Sequence, residues 1–195
     1  QSRSSAASDV YKRQINPLSY YDVNLLGTIS LVKAMEKTGL KKLVFSSSAT
    51  VYGNPNYLPI DEQHLTTSIN PYGNSKLMIE KFLNDLAIAD PLWSIISLRY
   101  FNPIGAHETG LIGDNPKKNI NNLIPQILAT IREEIPFLKI HGNDYETRDG
   151  TGIRDYIYIM DLAQGHVAAL DYIRRNEGFG IFNLGTGKGL SLIHI

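Results

Sequence analysis

Hydrophobic positions change their period several times along this chain, and each change marks a different element. From Pro17 onward Tyr21, Leu25, Ile29, Val32 and Met35 recur three or four residues apart, the spacing of one buried helix face, and Gly39 supplies the stop. Leu43 to Ser47 reads as a buried strand. The polar stretch 54–69, interrupted by Pro55 and Pro59, is a loop. Asn70 can cap and Pro71 can open the next helix, which meets no breaker before about Ala89. A second apolar run from Ile95 to Phe101 is a strand. Helix and strand thus alternate as in a parallel sheet with helices on its faces, and right-handed crossovers make it a doubly wound α/β layer.

Beyond Pro103 the texture changes to long polar loops. They surround a helix from about Asn122 to Glu134, a strand near Phe137 to Ile140, and a glycine-rich turn, Asp149-Gly150-Thr151-Gly152. Arg154 to Ile159 alternates as a strand, Asp161 can cap a helix reaching about Arg174, and Gly180 to Leu184 is a closing strand. This second part reads as a smaller lobe. Residues 1–14 are polar, serine-rich and without period, and read as a tail outside the fold.

Composition narrows the function classes. At 195 residues, 43% hydrophobic and 19% charged, the chain is globular. The net charge is zero and the nineteen basic residues are dispersed, which gives no case for nucleic acid or an anionic membrane. The absence of cysteine rules out disulfides, thiolate catalysis and a thiolate zinc site, and makes the cytoplasm the default compartment. No apolar run approaches the roughly 20 residues of a membrane span. His64, His107, His141, His166 and His194 show no metal-ligand spacing.

The chemistry lies in three residues. Tyr72 and Lys76 are one helical turn apart on one face. An ammonium near a phenol favours the phenolate and suits the tyrosine to act as a base. Ser48, in the strand end Ser46-Ser47-Ser48-Ala49-Thr50-Val51-Tyr52-Gly53, can pass a proton between a substrate hydroxyl and that tyrosine. The tyrosine-lysine pair alone also fits an ordinary helix surface. Thr50 and Tyr52 read as packing residues, and Gly185-Thr186-Gly187-Lys188-Gly189 as a turn, since position 190 is Leu where a phosphate loop needs glycine.

With these residues placed, the chain resembles the UDP-hexose 4-epimerases of the extended short-chain dehydrogenase/reductase family from about Ile15 to about Leu192. The likeness rests on Tyr20-Tyr21-Asp22-Val23-Asn24, the serine strand, Pro71-Tyr72-Gly73-Asn74-Ser75-Lys76, Leu98 through His107, Asn121 through Pro125, Gly142-Asn143-Asp144-Tyr145 and Asp149 through Tyr156. It implies a partial Rossmann-like doubly wound parallel sheet with a smaller α/β substrate-binding lobe. Residues 15–102 would be the C-terminal half of an NAD-binding domain, and 103–195 part of a UDP-sugar domain. The implied reaction interconverts UDP-galactose and UDP-glucose: bound NAD takes hydride from C4, and the 4-ketose turns over and receives it on the other face.

The resemblance implies that Tyr72 takes and returns the 4-hydroxyl proton, Ser48 relays it, and Lys76 holds the nicotinamide ribose. Phe101 would adjoin the nicotinamide and Asn24 support the cofactor half, although a neighbouring asparagine of some members is Val23 here. Asn102, Asn122 and Leu123 would contact the UDP-sugar, a strand through Lys139, Ile140 and His141 would border uracil, and Arg154 would pair with the pyrophosphate, a task suited to its fork of donors. On local chemistry alone Asn102 also fits a turn asparagine before Pro103, and Arg154 a salt bridge to Asp155. The helices around Leu25 and Met78 would pack in a homodimer, or simply in the core.

No strand, glycine-rich turn and helix that could cradle a dinucleotide pyrophosphate occurs in this sequence. Relative to the family, the chain is expected to be an internal fragment that binds NAD weakly or not at all, shows no turnover alone and is aggregation-prone. Two rival readings remain at this point. A 4,6-dehydratase or decarboxylase on the same scaffold would carry an acid where Ala49-Thr50 stands, and a non-catalytic UDP-sugar-binding protein would not need an activated phenol.

Overall fold

The computed structural model describes residues 16–113 and 122–193; the stretch 1–14, Asn121 and His194 lie outside them. Helix α1, Pro17–Tyr20, begins at Asn16, whose Oδ1 accepts the Ser19 N–H, with Pro17 at the first helical position. The chain then widens into a π-helical turn, Tyr21–Leu26, before α2, Gly27–Thr38. The single regular helix expected from Pro17 is therefore interrupted. Gly39 ends α2 at φ 72, a left-handed conformation that suits glycine, and its N–H returns to the Glu36 carbonyl.

Strand β1, Lys42–Ser48, passes through a 3₁₀ turn, Ala49–Tyr52, and a long loop into α3, Pro71–Ala89. Asn70 caps α3 by accepting the Gly73 N–H at 2.8 Å. Then follow β2, Ser94–Tyr100, β3, Asn102–Ile104, α4, Leu123–Ile131, β4, Ile153–Tyr158, α5, Ile159–Ile173, β5, Gly178–Leu184, and β6, Gly189–Ser191.

Two three-stranded sheets result. The first is wholly parallel, in the order β1-β2-β5, with Ser47 opposite Arg99 and Arg99 opposite Asn183. Its successive residues face opposite ways. Ile95 joins Trp93 against Val32 and Met35 of α2 and Ile79, Leu83 and Ala87 of α3, whereas Ile96 and Leu98 meet Ala169 and Ile173 of α5. Each such aliphatic side chain, fully buried, contributes about 1.5–3 kcal/mol. Helices thus cover both faces, and the fold is the expected Rossmann-like α/β layer. The second sheet is mixed: β3 runs parallel to β4, and β6 antiparallel to it.

Three local expectations and one alternative reading are corrected. Residues 137–140 form no strand: Pro136 removes a donor, Phe137 and Ile140 are exposed, and no strand among the described residues runs alongside. Helix α4 stops at Ile131, short of Glu134, and Glu133 turns the chain at φ 59. Asp161 does not cap α5; Tyr158 holds that position without a side-chain bond, and Asp161 lies in the first turn, where its charge meets the positive helix end. Asn102 is not a turn residue but opens β3 opposite Tyr156.

Candidate active site

All three strands of the parallel sheet end at one edge, which gathers Ser48, the segment 100–102 and Leu184-Gly185. In open parallel sheets this edge is where ligands bind. Ser48 is the last residue of β1, and its Oγ accepts the Thr50 N–H at 3.2 Å and the Thr50 hydroxyl at 3.0 Å. Tyr72 and Lys76 arrive from the first turns of α3. Close backbone packing brings them there: a Cβ on Gly73 would lie 2.7 Å from the Thr50 carbonyl oxygen and 2.1 Å from Ser68 Oγ, so only glycine lets α3 start against the turn after Ser48.

The Lys76 ammonium lies 4.9 Å from the Phe45 ring centre and 5.7 Å from that of Tyr72, and donates to the Ser46 carbonyl at 2.8 Å. Burial lowers its pKa. Tyr72 also meets Tyr20 edge to face, with ring centres 6.2 Å apart. On the other face of the sheet Tyr100 donates to Ser46 Oγ at 2.7 Å and lies 2.5 Å from His166 Nε2. His166 Nδ1 in turn lies 2.8 Å from the Leu162 carbonyl oxygen. Burial raises the Tyr100 pKa, the bond to Ser46 pulls it back, and the neighbouring Tyr72 raises it further.

Beneath these groups lies a buried polar cluster that sequence reasoning passed over. Glu80 and Arg99, each 3% exposed, form a two-pronged pair, Nε to Oε1 at 3.0 Å and Nη2 to Oε2 at 2.6 Å. Glu80 Oε1 also accepts Ser47 Oγ at 2.5 Å and Ser97 Oγ at 3.1 Å. Arg99 Nη1 donates to Tyr52 Oη at 2.9 Å, and Tyr52 donates to Asn183 Oδ1 at 2.7 Å. Burial opposes the Arg99 charge, but its bonds to Glu80 and Tyr52 outweigh that, and its pKa is raised. A signal was available: Glu80 follows Lys76 by one helical turn, and Arg99 continues the inward alternation of Ile95 and Ser97.

The remaining candidates separate into two groups. Phe101 is near the edge, its N–H bonded to the Leu184 carbonyl and its ring against Gly185, where a Cβ would come within 2.8 Å. Asn24 stands behind α3, its Nδ2 donating to Ser75 Oγ at 2.9 Å. Asn102 and Asn122 are exposed, Leu123 begins α4, Lys139 and Ile140 are exposed and His141 is half-buried on irregular backbone. Arg154 Nη1 donates to the Ile153 carbonyl, and Asp155 instead holds the turn at Thr186 and Gly187. Among the described residues no cluster could hold a metal ion, and no helix is long and apolar enough to cross a membrane.

Residues 4–185 match the model of the NAD dependent epimerase/dehydratase family. UDP-glucose 4-epimerase of Bos taurus is 54% identical over 182 residues, 92% of this chain and 52% of that protein, and the Bacillus subtilis enzyme is 51% identical over 179 residues. The chain therefore spans about half the length of the curated relatives it matches. Among solved structures, UDP-glucose 4-epimerase from Bifidobacterium longum in complex with NAD⁺ and UDP superposes with TM-score 0.88 at 51% identity, over 92% of this chain and 54% of that one. The Stenotrophomonas maltophila enzyme, with bound NAD and formylated UDP-arabinopyranose, superposes with TM-score 0.91 at 45% identity, over 95% of this chain and 55% of that one.

Proposed function

Because the chain belongs to the NAD dependent epimerase/dehydratase family, we propose that it carries the proton-transfer residues of a UDP-glucose 4-epimerase, which interconverts UDP-galactose and UDP-glucose in cytoplasmic galactose metabolism. The observation that carries this reading is the packing of the first turns of α3, which hold Tyr72 and Lys76, against the end of β1 and the turn after Ser48.

Lys76 fits NAD. Its half-buried ammonium has one hydrogen-bond acceptor among the described residues, the Ser46 carbonyl, which leaves two N–H donors for a ribose diol. NAD, when bound, supplies the redox change at C4. Tyr72 takes the proton of the 4-hydroxyl and returns it, with the Ser48 hydroxyl bridging substrate and phenol. Phe101 walls the nicotinamide side, and Asn24 steadies α3 through Ser75, next to Lys76. Asn102, Asn122, Leu123, Lys139, Ile140, His141 and Arg154 serve the UDP-sugar; residues 15–102 form the cofactor part, with Asn102 at its border, and 103–195 the substrate part. Val23, Leu26 and Met78, all exposed, suit a homodimer face.

The test joins the chain to a nucleotide-binding half of the family and follows UDP-galactose. UDP-glucose should form, and Tyr72→Phe should slow its formation by about 10²- to 10⁴-fold while UDP-sugar binding persists. Release of water or carbon dioxide from the sugar would replace epimerisation by another reaction of the scaffold.

A further inference from the structure

We propose that Glu80 and Arg99 are positioning residues, which set the height of α3 above the sheet so that Lys76 and Tyr72 stand level with the end of β1. Glu80 lies one turn below Lys76 and two below Tyr72 on the same helix. Its carboxylate is held by side chains from two strands at once, Ser47 of β1 and Ser97 and Arg99 of β2. Through Arg99 and Tyr52 it reaches Asn183 of β5 as well. One carboxylate thus ties the helix to every strand of the parallel sheet.

Apolar contacts between α3 and the sheet bury area but tolerate small slides, because dispersion is not directional. A guanidinium-carboxylate fork fixes both distance and direction. Slippage by one helical rise, about 1.5 Å, would break both prongs. The partners also sit where register matters. Ser47 precedes Ser48, and Arg99 precedes the Tyr100-Phe101-Asn102 segment, so the same bonds index the serine and the aromatic wall against the helix. Stability alone does not call for this arrangement, since apolar residues of similar volume often replace a buried ion pair without loss.

The value of this indexing for turnover rests on the epimerase reading, whereas its effect on Lys76 does not. The test therefore reads Lys76 in the chain itself. In one variant Glu80→Leu, Arg99→Met, Ser47→Ala and Ser97→Ala remove the cluster without leaving a buried hydroxyl unpaired. In a second, Arg99→Lys keeps the charge and loses the fork. Trp93, the single tryptophan and fully buried, reports folding by its fluorescence, and side-chain NMR of labelled lysine follows the Lys76 titration.

Both variants are expected to stay folded while the Lys76 midpoint rises toward that of a solvated lysine, as water reaches the ammonium whose burial now lowers it. An unchanged Lys76 titration in the folded variants would overturn the proposal. Failure of the apolar variant to fold would overturn it too, because the cluster would then be needed for the fold itself. Absence of epimerisation in the completed enzyme with the cluster intact, with Lys76 behaving as expected here in the variants, would count against the functional reading and not against the indexing role.

Discussion

Asp155 and Thr186 are joined three times over: the Thr186 N–H lies 2.9 Å from each carboxylate oxygen, and the Thr186 hydroxyl donates to Oδ1 at 2.7 Å. The Gly187 N–H adds a fourth bond to Asp155 at 2.8 Å. The glycine-rich stretch that hints at a phosphate loop is thus folded around the protein's own anion, in the manner of a backbone nest.

Asp155→Ala should leave those donors without their acceptor. Charge-assisted bonds of this kind and the groups left behind account for about 1–3 kcal/mol. Urea unfolding followed through Trp93 should show a lower midpoint, with Asp155→Asn in between. A midpoint equal to wild type would show that water serves the turn equally well.

Gly73→Ala should be costly although alanine favours helices. The new methyl would meet the Thr50 carbonyl oxygen and Ser68 Oγ inside contact distance, and the backbone at Thr50 cannot yield freely. Overpacking of this kind costs about 1–3 kcal/mol. The thermal midpoint should fall, and Ser48, two residues before Thr50, should show shifted NMR resonances.

Removing the cap of α3 gives a milder effect. Asn70→Ala loses the acceptor of the Gly73 N–H and should cost about 0.5–2 kcal/mol, with Asn70→Asp close to wild type. Chemical denaturation of the three proteins in parallel decides this.

Lys76 makes stability depend on alkaline pH. Its folded pKa is lowered by burial, so the unfolded chain holds this proton more tightly and stability rises as pH climbs toward the unfolded value of about 10.4. Near pH 10 the phenols of buried Tyr52 and half-buried Tyr100, whose folded pKa values are raised, begin to act in the opposite sense. Lys76→Met should flatten the rise below pH 10 and leave the fall above it. A rise of the same slope in Lys76→Met would assign it to another group.

Much of the architecture was legible because periodicity and breakers coincide. Val32 and Met35 signal one helix face, Asn70-Pro71 a helix start, and Ile95 to Tyr100 a strand buried on both sides. The π turn at Tyr21–Leu26 leaves no such mark, since the apolar spacing of Tyr21 and Leu25 suits a regular helix equally. The short strands β3 and β6 were missed because each owes its existence to β4, a partner far away in sequence. Residues 137–140 failed in the opposite way: an apolar run became no strand where no neighbour lay beside it.

For the site, Ser48, Tyr72 and Lys76 could be placed at one edge from strand and helix positions alone. The Glu80-Arg99 pair could be suspected only from charges at inward positions, and its mutual geometry needed the register of three strands.

The strand order β1-β2-β5 has a consequence for how the protein is made. The centre strand is synthesised between its two neighbours, but β5 follows it only after β3, α4, β4 and α5. A nascent chain that has just released β2 from the ribosome can pair it with β1 alone, leaving the other side of an almost wholly buried strand open to water and to other chains. Parallel pairing between distant segments is slow to form, and such half-paired edges are where nascent chains associate wrongly. Chaperone demand should therefore peak during translation of the stretch between Tyr100 and Gly178, and subside once Leu184 has emerged.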